Sequence, residues 1–374
     1  MSAEMITTPA ALSDLCRTLA GAEWIAVYTE FLRERTYSAR LCLVQVASHD
    51  VVAIIDPLAL RDDGLAPLVA LFDSERPRKV LHAARQDLEV FHDLEQRVPA
   101  PVFDTQIAAA YLGYDDQIGY AALVAALTGV TLDKSHTRTD WSVRPLSAAQ
   151  LQYAADDVHY LRPVYEALHE QLAQRGRLAW VEEECRRLTQ ASLYRNDPAE
   201  AWRRLRGGAD LAAANQQVLC ALAEWREREA QERDLPRAWV LRDEVLFELA
   251  RHTPENTQGL ASIRGLEDSA RRRHGEAILA SVAMARQAET VERWPRLLPL
   301  TPAQNALAKQ LMGRIRELAQ QLALAPAVVA TRRDVEKLVR GTDPAQLFHG
   351  WRAELVGPSL AAILAPARDT PASV

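Results

Sequence analysis

The hydrophobic pattern of this chain changes near residue 202, and that change restricts the folds open to it. Beyond that point, apolar residues recur only at helical spacing, in two blocks over 211–287 and 302–366. Before it, helical stretches alternate with segments of strand character, which cover residues 24–31, 40–47, 51–56, 79–83 and 102–104. Strands mixed with crossover helices predict an α/β domain with a mixed sheet, here followed by two small all-α domains.

The expected domain boundaries follow from the same pattern. The α/β domain is predicted over residues 1–202, the first helical domain over 203–294 and the second over 295–374. The stretch 294–302 between the helical blocks contains three prolines, which predicts a linker. The two blocks are similar in size but share no strict period, so they indicate a divergent repeat.

Charge is distributed unevenly between the two parts of the chain. The formal net charge is −10 over residues 1–200 and +4 over residues 201–374. An acidic front part is compatible with a cluster of metal-binding carboxylates, and a basic rear part with a polyanionic partner. No apolar run reaches the roughly 18 residues of a membrane span, and the N-terminus lacks signal-peptide features. Four widely separated cysteines predict reduced thiols, so a cytoplasmic location is expected.

Three acidic motifs in the front part point to chemistry. Glu30 ends a predicted strand, Asp87 lies near the start of a predicted helix, and Tyr153 and Asp157 share one face of a later helix. Taken singly, each has an ordinary structural explanation as a strand-end charge, a helix cap or an amphipathic edge. Taken together, they match what phosphodiester hydrolysis requires: carboxylates from separate segments that hold two divalent cations about 3.5–4 Å apart. A nearby tyrosine can orient the attacking water.

The helix that carries Tyr153 and Asp157 is the best-specified element in the sequence. Ser147 and Gln150 form a capping box at its start. The helical pattern ends near residue 175, just before Gly176, which is typical of a helix stop. Pro163 lies inside this pattern and is expected to kink or divide the helix.

The order of these motifs resembles the DEDD exonuclease superfamily, in the subclass whose third motif carries a tyrosine, and most closely the ribonuclease D family. The similar segments span roughly residues 20–170: T-E-F at 29–31, R-x-R-T-Y at 33–37, I-I-D-P-L at 54–58, H-A at 82–83, Q-D-L-E-V-F at 86–91, F-D-T-Q at 103–106, G-V-T-L-D-K-S at 129–135, R-T-D-W at 138–141 and Y-A-A-D-D-V at 153–158. In the rear part, R-D-L-P-R-A-W-V at 233–240 and I-R-G-L at 263–266 resemble the helicase-and-RNase-D C-terminal (HRDC) module. The block from residue 302 resembles a weaker second copy.

The resemblance implies a ribonuclease H-like fold and roles for the site residues. Glu30 and Asp157 would bind the metal ion that activates water, and Asp87 the ion beside the leaving group. Tyr153 would orient or deprotonate the water. The implied cofactors are two divalent ions, Mg²⁺ or Mn²⁺. His82 and Asp104 lie in similar segments without an assigned role, and His82 has an equally good reading as a structural histidine.

The resemblance also implies a partner and a product. The partner is RNA with a trailing 3′ end, such as a tRNA precursor, and the products are nucleoside 5′-monophosphates. Lys134, Arg138, Arg233 and Arg237 are candidate contacts to RNA phosphates, although each could equally be an ordinary solvated side chain. No membrane association is expected, and we expect a monomer.

One position departs from the family pattern. The first motif of the family is D-x-E, and Tyr28 stands where the metal-bridging aspartate is expected. A phenol is neutral near pH 7, offers one oxygen in place of two, and adds bulk. The sequence therefore predicts poor binding of the second metal and an impaired or inactive enzyme. Deliberate inactivation, a variant of an active enzyme and a natural loss all remain open.

Two other functions fit parts of the sequence. A non-catalytic RNA-binding protein would use the helical modules, and it predicts RNA affinity without hydrolysis even after Tyr28→Asp. A DNA exonuclease would use the same metal centre, although the two helical modules argue against it. Only RNA offers a 2′-hydroxyl, so a comparison of matched RNA and DNA ends separates the two substrates.

Overall fold

A mixed sheet forms the centre of the first part of the chain. The computed structural model describes residues 4–133, 135–136, 139–288, 294, 298–342 and 347–368. Within these residues, six strands are ordered β1-β4-β3-β2-β5-β6. The strands are β1 (Glu4–Ile6), β2 (Trp24–Leu32), β3 (Arg40–Ala47), β4 (Val52–Ile55), β5 (Arg78–Leu81) and β6 (Val102–Asp104). β3 and β4 pair antiparallel, whereas β1–β4, β2–β5 and β5–β6 pair parallel, so the prediction of a mixed sheet is confirmed.

In the described residues, α-helices lie around this sheet and form most of the remaining regular structure. Those around the sheet are α1 (Pro9–Leu19), α2 (Pro57–Leu60), α3 (Ala66–Asp73), α4 (Arg85–Glu95), α5 (Thr105–Ala110), α6 (Tyr120–Thr128), α7 (Ala148–Gln174) and α8 (Leu178–Leu188). Next come α9 (Ala213–Glu232), α10 (Arg237–Val240), α11 (Asp243–His252), α12 (Thr257–Ala261) and α13 (Asp268–Gln287). The last are α14 (Pro302–Gln321), α15 (Pro326–Val329), α16 (Arg332–Val339), α17 (Gly350–Leu355) and α18 (Gly357–Arg368).

Helix α7 is continuous over 27 residues and begins with the predicted capping box. The Ser147 backbone N–H donates to the Gln150 side chain at 2.8 Å, and the Gln150 N–H donates to Ser147 Oγ at 3.2 Å. Pro163 was expected to kink or divide the helix, and it does not divide it, since the helix runs through it. Buried side chains on both sides of the proline, including Leu161 and Val164, hold the helix in one piece.

The chain divides into two compact units that do not follow the predicted domain boundaries. The sheet unit comprises the chain up to Phe31, Leu41–Leu193, and the chain from Pro299 onward. The helical unit comprises Leu32–Arg40 and Tyr194–Leu298. Helices α14–α18 therefore belong to the sheet unit, although their sequence pattern suggested a separate domain.

An aromatic contact explains why these last helices belong to the sheet unit. The ring of Trp351 stacks on that of Trp180 in α8, with centroids 4.8 Å apart and an interplanar angle of 15°. Trp351 Nε1 donates to the hydroxyl of Tyr111 at 3.2 Å. The neighbouring Arg352 is buried and forms an ion pair with Glu184. The buried indole of Trp351, stacked on the half-buried Trp180 and accompanied by a paired guanidinium, makes a substantial stabilising contact.

The helical unit has a core of its own. Apolar side chains of α9, α11 and α13 pack together, and Leu219, Leu222, Leu246 and Leu249 are fully buried in that core. None of the helices in the described part of the chain combines the length and apolar character that crossing a lipid bilayer requires.

Candidate active site

The sheet geometry brings the predicted site residues to one edge. β2, β5 and β6 run parallel, so their carboxyl ends lie at the same edge of the sheet. Glu30 lies near the end of β2, and Asp87 is in the first turn of α4, which follows β5. Asp157 lies on α7 and is buried. Three acidic side chains thus approach from three separate elements, and Asp87 does not act as the N-cap of its helix.

Burial and neighbouring acidic groups raise the pKa values of these carboxyl groups. Burial, followed by the charges of Asp157 and Asp87, raises the pKa of Glu30 to about 8. Burial, followed by the charge of Asp156, raises the pKa of Asp157 to about 8. Burial also raises the pKa of Asp87 to about 7. Like charges in a partly dehydrated site favour the protonated forms when no cation is present.

Tyr28 lies among these acidic side chains. Burial is the first cause that raises its pKa well above the ordinary value, and the charges of Asp157, Glu30 and Asp87 and the neighbouring Tyr153 raise it further. Its phenol therefore stays neutral over the whole physiological pH range. Tyr28 thus interacts electrostatically with each of the other predicted catalytic residues.

Hydrogen bonds fix two of the acidic residues. The Thr29 hydroxyl donates to Asp87 Oδ1 at 2.5 Å and so connects β2 to α4. The hydroxyl of Tyr120, at the start of α6, donates to the backbone carbonyl of Asp157. Asp157 Oδ2 is buried and accepts no hydrogen bond from the described residues. A buried carboxylate oxygen without a donor is costly in an apolar setting, and a cation would relieve that cost.

Two further rings surround Tyr153, the residue expected to orient water. The ring of His136 lies edge-on to it at 5.7 Å between centroids, and the buried Trp141 lies at 6.0 Å. Sequence reasoning named neither His136 nor Tyr120, and Thr29 was assigned no role. No spacing rule reveals them, because they reach the site through a loop, a helix start and a hydroxyl contact.

His82 and Asp104 have structural roles. The two ring nitrogens of His82 lie 3.0 Å from Thr105 Oγ1 and 3.1 Å from the Ile118 carbonyl, which agrees with a satisfied structural histidine. Asp104 caps α5 and also accepts from the N–H groups of Ala83 and Ala84. It therefore supports the left-handed backbone at Ala83, at the turn that leads into α4.

The candidate RNA-binding residues that the structure describes already take part in ion pairs. Lys134 and Arg138 lie outside the described residues. Arg233 forms an ion pair with Glu229. Arg237 forms an ion pair with Glu227, with Nε–Oε2 at 2.5 Å. The guanidinium groups of Arg233 and Arg237 thus already have a carboxylate partner each.

The donor atoms suit a hard divalent cation in kind, because Mg²⁺ and Mn²⁺ prefer carboxylate oxygens. Their arrangement does not suit a two-ion centre. Within the described residues, no three His, Cys, Asp or Glu side chains are grouped closely enough to hold a metal ion. The neutral phenol of Tyr28 interacts electrostatically with all three carboxyl groups and supplies neither the charge nor the second oxygen of a carboxylate.

The fold and the site together define an α/β exonuclease domain joined to helical modules. Residues 3–173 match the family model described as 3′-5′ exonuclease, and residues 215–282 match the HRDC domain model. The chain belongs to the ribonuclease D family, whose members are 3′–5′ exoribonucleases.

Similarity extends over nearly the whole chain. Ribonuclease D of Acidiphilium cryptum is 42% identical over 364 residues, covering 94% of this chain and 91% of that protein. Ribonuclease D of Gluconacetobacter diazotrophicus is 42% identical over 366 residues, covering 94% and 90%. The crystal structure of Escherichia coli RNase D, described as an exoribonuclease involved in structured RNA processing, is 35% identical. It superposes with a TM-score of 0.88 over 98% of this chain and 99% of that one. The predicted fold class, with an HRDC domain and a helical C-terminal region, is confirmed.

Proposed function

We propose that this chain is a ribonuclease D-type enzyme whose hydrolytic activity is strongly reduced by Tyr28. The family reaction is hydrolysis of the 3′-terminal phosphodiester of RNA, with release of nucleoside 5′-monophosphates. Structured RNA with a short 3′ tail, such as a tRNA precursor, is the proposed substrate class. The observation that carries the proposal is the electrostatic environment of Tyr28, whose buried phenol interacts with the charges of Glu30, Asp87 and Asp157 and with Tyr153.

The remaining residues retain the parts that the reaction needs. Glu30, Asp87 and Asp157 supply the carboxylates, and Tyr153 is the residue proposed to orient or deprotonate water. Two divalent ions, Mg²⁺ or Mn²⁺, would supply positive charge to the attacking and leaving oxygens. Tyr28 replaces the ligand that both ions would share. Losing about 4 kcal/mol of transition-state stabilisation lowers a rate about a thousandfold, so we expect a reduction of that order.

The test is a 3′-trimming assay on a tRNA-like RNA with a short single-stranded tail. The chain with Tyr28 and the Tyr28→Asp variant are assayed side by side with Mg²⁺ and with Mn²⁺. Tyr28→Asn is the matched control, since it removes the phenol and has nearly the size of aspartate but brings no charge. We expect trimming by Tyr28→Asp alone. Trimming by the original chain at the rate of Tyr28→Asp would refute the proposed impairment.

A second candidate function is RNA binding without catalysis. It is favoured because, in the described residues, no three His, Cys, Asp or Glu side chains are grouped so that they could hold a metal ion. It predicts that both the original chain and Tyr28→Asp bind the RNA and that neither trims it. The same assay therefore decides between the two functions. A matched DNA substrate separates ribonuclease from deoxyribonuclease activity, because only RNA offers the 2′-hydroxyl.

A further inference from the structure

A short segment next to the candidate active site belongs to the other unit of the protein. Leu32–Arg40 connects β2 to β3 in the sheet, yet it packs as part of the helical unit. The segment begins two residues after Glu30. The contacts that hold it in the helical unit therefore act on chain that continues directly into the strand of the acidic site.

The side chain of Tyr37 is the centre of these contacts. Its hydroxyl donates to Glu227 Oε1 at 2.5 Å and accepts from Gln231 Nε2 at 3.1 Å and from the Arg237 guanidinium at 2.8 Å. The Arg237 guanidinium carbon lies 4.6 Å from the centre of the Tyr37 ring. One phenol thus combines three hydrogen bonds with a cation–π contact.

The backbone of the segment is held as well. Asp234 Oδ1 accepts from the N–H groups of Tyr37 at 3.0 Å and Ser38 at 3.1 Å. Asp234 itself has a left-handed backbone with φ of +49°. That conformation is unfavourable for most side chains, and aspartate tolerates it better than most. The surroundings thus hold Asp234 in the orientation that binds the segment.

Glu227, which binds Tyr37, is itself buried in the helical unit. Its side chain is only 1% exposed, and it pairs with Arg237 and with Arg204. Burial alone would raise the pKa of Glu227, but the hydrogen bonds from Arg237 and Tyr37 and the charges of both arginines lower it. A buried carboxylate is tolerated only when such partners surround it, so loss of Tyr37 disturbs more than one contact.

The end of β2 has little other support on one side. β5 pairs with β2 at Trp24, Ile25 and Ala26, and β5 ends at Leu81, the residue after the partner of Ala26. Beyond Val27, the strand has no β5 neighbour. The part of β2 that carries Glu30 therefore depends on β3, on the Thr29–Asp87 hydrogen bond and on the segment that follows it.

We propose that Tyr37 is a positioning residue: by anchoring Leu32–Arg40 in the helical unit, it fixes the carboxyl end of β2 and with it Glu30. The assignment of Glu30 to the catalytic site rests on the proposed function, whereas the anchoring of β2 does not.

The first measurement is hydrogen exchange by mass spectrometry on the full chain, with Tyr37→Ala, Tyr37→Phe and the original compared. Tyr37→Ala removes the ring and the hydroxyl. Tyr37→Phe keeps the ring under Arg237 and the two backbone bonds to Asp234. Asp234→Gly removes those backbone bonds and keeps the left-handed conformation free of strain. Tyr114→Phe, at a partly buried tyrosine of the sheet unit, is the matched control.

We expect Tyr37→Ala and Asp234→Gly to speed exchange about tenfold both in 32–40 and at the end of β2, residues 28–32. Tyr37→Phe should show a smaller change, and Tyr114→Phe none in these peptides. Faster exchange in 32–40 with unchanged exchange in 28–32 would overturn the proposal, because the segment would then be released without effect on the strand.

The second measurement is made in the Tyr28→Asp chain and reads the consequence at the site. Mn²⁺ affinity is measured by calorimetry, and trimming by kcat and KM, well below the unfolding temperature. A positioning role predicts about tenfold weaker Mn²⁺ binding and lower kcat for Tyr37→Ala, with partial rescue by Tyr37→Phe. A purely structural role would lower the unfolding temperature and leave Mn²⁺ affinity and kcat unchanged, which would also overturn the proposal.

The two measurements separate failure of this inference from failure of the proposed function. If Tyr28→Asp neither binds Mn²⁺ nor trims RNA, the proposed function fails. The exchange comparison of residues 28–32 still decides whether Tyr37 anchors β2, because it requires neither a metal nor a substrate.

Discussion

Replacement of Arg144 by alanine tests whether a buried ion pair holds the loop that precedes α7. The Arg144 guanidinium binds both oxygens of Asp56, with Nε–Oδ2 at 2.7 Å and Nη2–Oδ1 at 2.8 Å. It also donates to the backbone carbonyls of Trp141, Val143 and Cys42. The Asp56 side chain is 4% exposed and that of Arg144 is 25% exposed. Three of these five hydrogen bonds connect the loop to β3 and to the start of α2, and the other two lie within the loop.

The magnitude follows from what the substitution leaves behind. Arg144→Ala leaves Asp56 buried, with only the backbone N–H groups of Leu58 and Ala59 as donors. Removing one partner of a buried ion pair costs about 3–5 kcal/mol. Because Arg144 is one-quarter exposed, water can replace part of the interaction. We therefore expect Arg144→Ala to lower the free energy of unfolding by about 3 kcal/mol.

The loss should depend on pH. Burial alone raises the pKa of Asp56, but the hydrogen bonds and charge of Arg144 outweigh it and lower the pKa below 3.8. A carboxyl group with a lowered folded pKa stabilises the protein above its unfolded pKa, and this contribution is lost as pH falls through the folded pKa. The difference between the original chain and Arg144→Ala should therefore be full at pH 7 and shrink below about pH 4.

The assay is urea unfolding, monitored through hydrogen exchange of the β3 and β4 amides. A local readout is needed because a chain of two units does not unfold in one transition. Arg97→Ala is the control: its partner is Asp73 and its side chain is 70% exposed, so water screens the pair and we expect little or no loss of unfolding free energy. The double variant with Asp56→Asn isolates the pair energy. A loss below about 1 kcal/mol for Arg144→Ala at pH 7, equal to that of the control, would refute the reasoning.

Three further outcomes can be measured. Trp351→Ala should lower the unfolding free energy of the sheet unit by about 3–5 kcal/mol, seen as faster exchange in α17 and α8, because it removes a buried stacked indole. Thr29→Val should raise the pKa of Asp87 above its present value of about 7, which carboxyl NMR detects, because it removes a hydrogen bond that favours the charged form. Burial lowers the pKa of Lys79 from 10.5 to about 8, so the folded chain binds fewer protons than the unfolded one between these values. Unfolding free energy should then rise between pH 8 and 10 by at most about 1.4 kcal/mol per pH unit relative to Lys79→Met.

Local signals made most of the sheet unit predictable. Strands β3 and β6 were predicted with their exact bounds, and the capping box of α7 was predicted from Ser147 and Gln150. β1 was not predicted, because three residues carry no alternating pattern of their own and the strand exists only through its pairing with β4. The sequence left open whether Pro163 kinks or divides α7, and the helix is continuous because packing on both sides overrides the local preference of proline.

The acidic residues of the candidate site were predictable from the sequence motifs. The structure brings Glu30, Asp87 and Asp157 to one edge of the sheet, and the resemblance to the family had already set Tyr28 among them. The contacts of Tyr37 with Glu227 and of Trp351 with Trp180 were not predictable, because each joins residues more than 160 positions apart. No spacing pattern encodes such a pairing.

The interleaving of the two units has a consequence for synthesis. The sheet unit needs α17, near the end of the chain, and the helical unit needs Leu32–Arg40, near its beginning. The sheet unit cannot be completed until the whole helical unit has been synthesised, and the helical unit cannot be completed until residues 41–193 of the sheet unit have been synthesised. Trp180 is therefore synthesised well before Trp351, which stacks on it. Leu32–Arg40 is likewise synthesised well before Glu227, which binds it. A truncated product that ends near residue 200 would leave both surfaces exposed, so it should be a poor isolated domain and a ready target for proteases and chaperones.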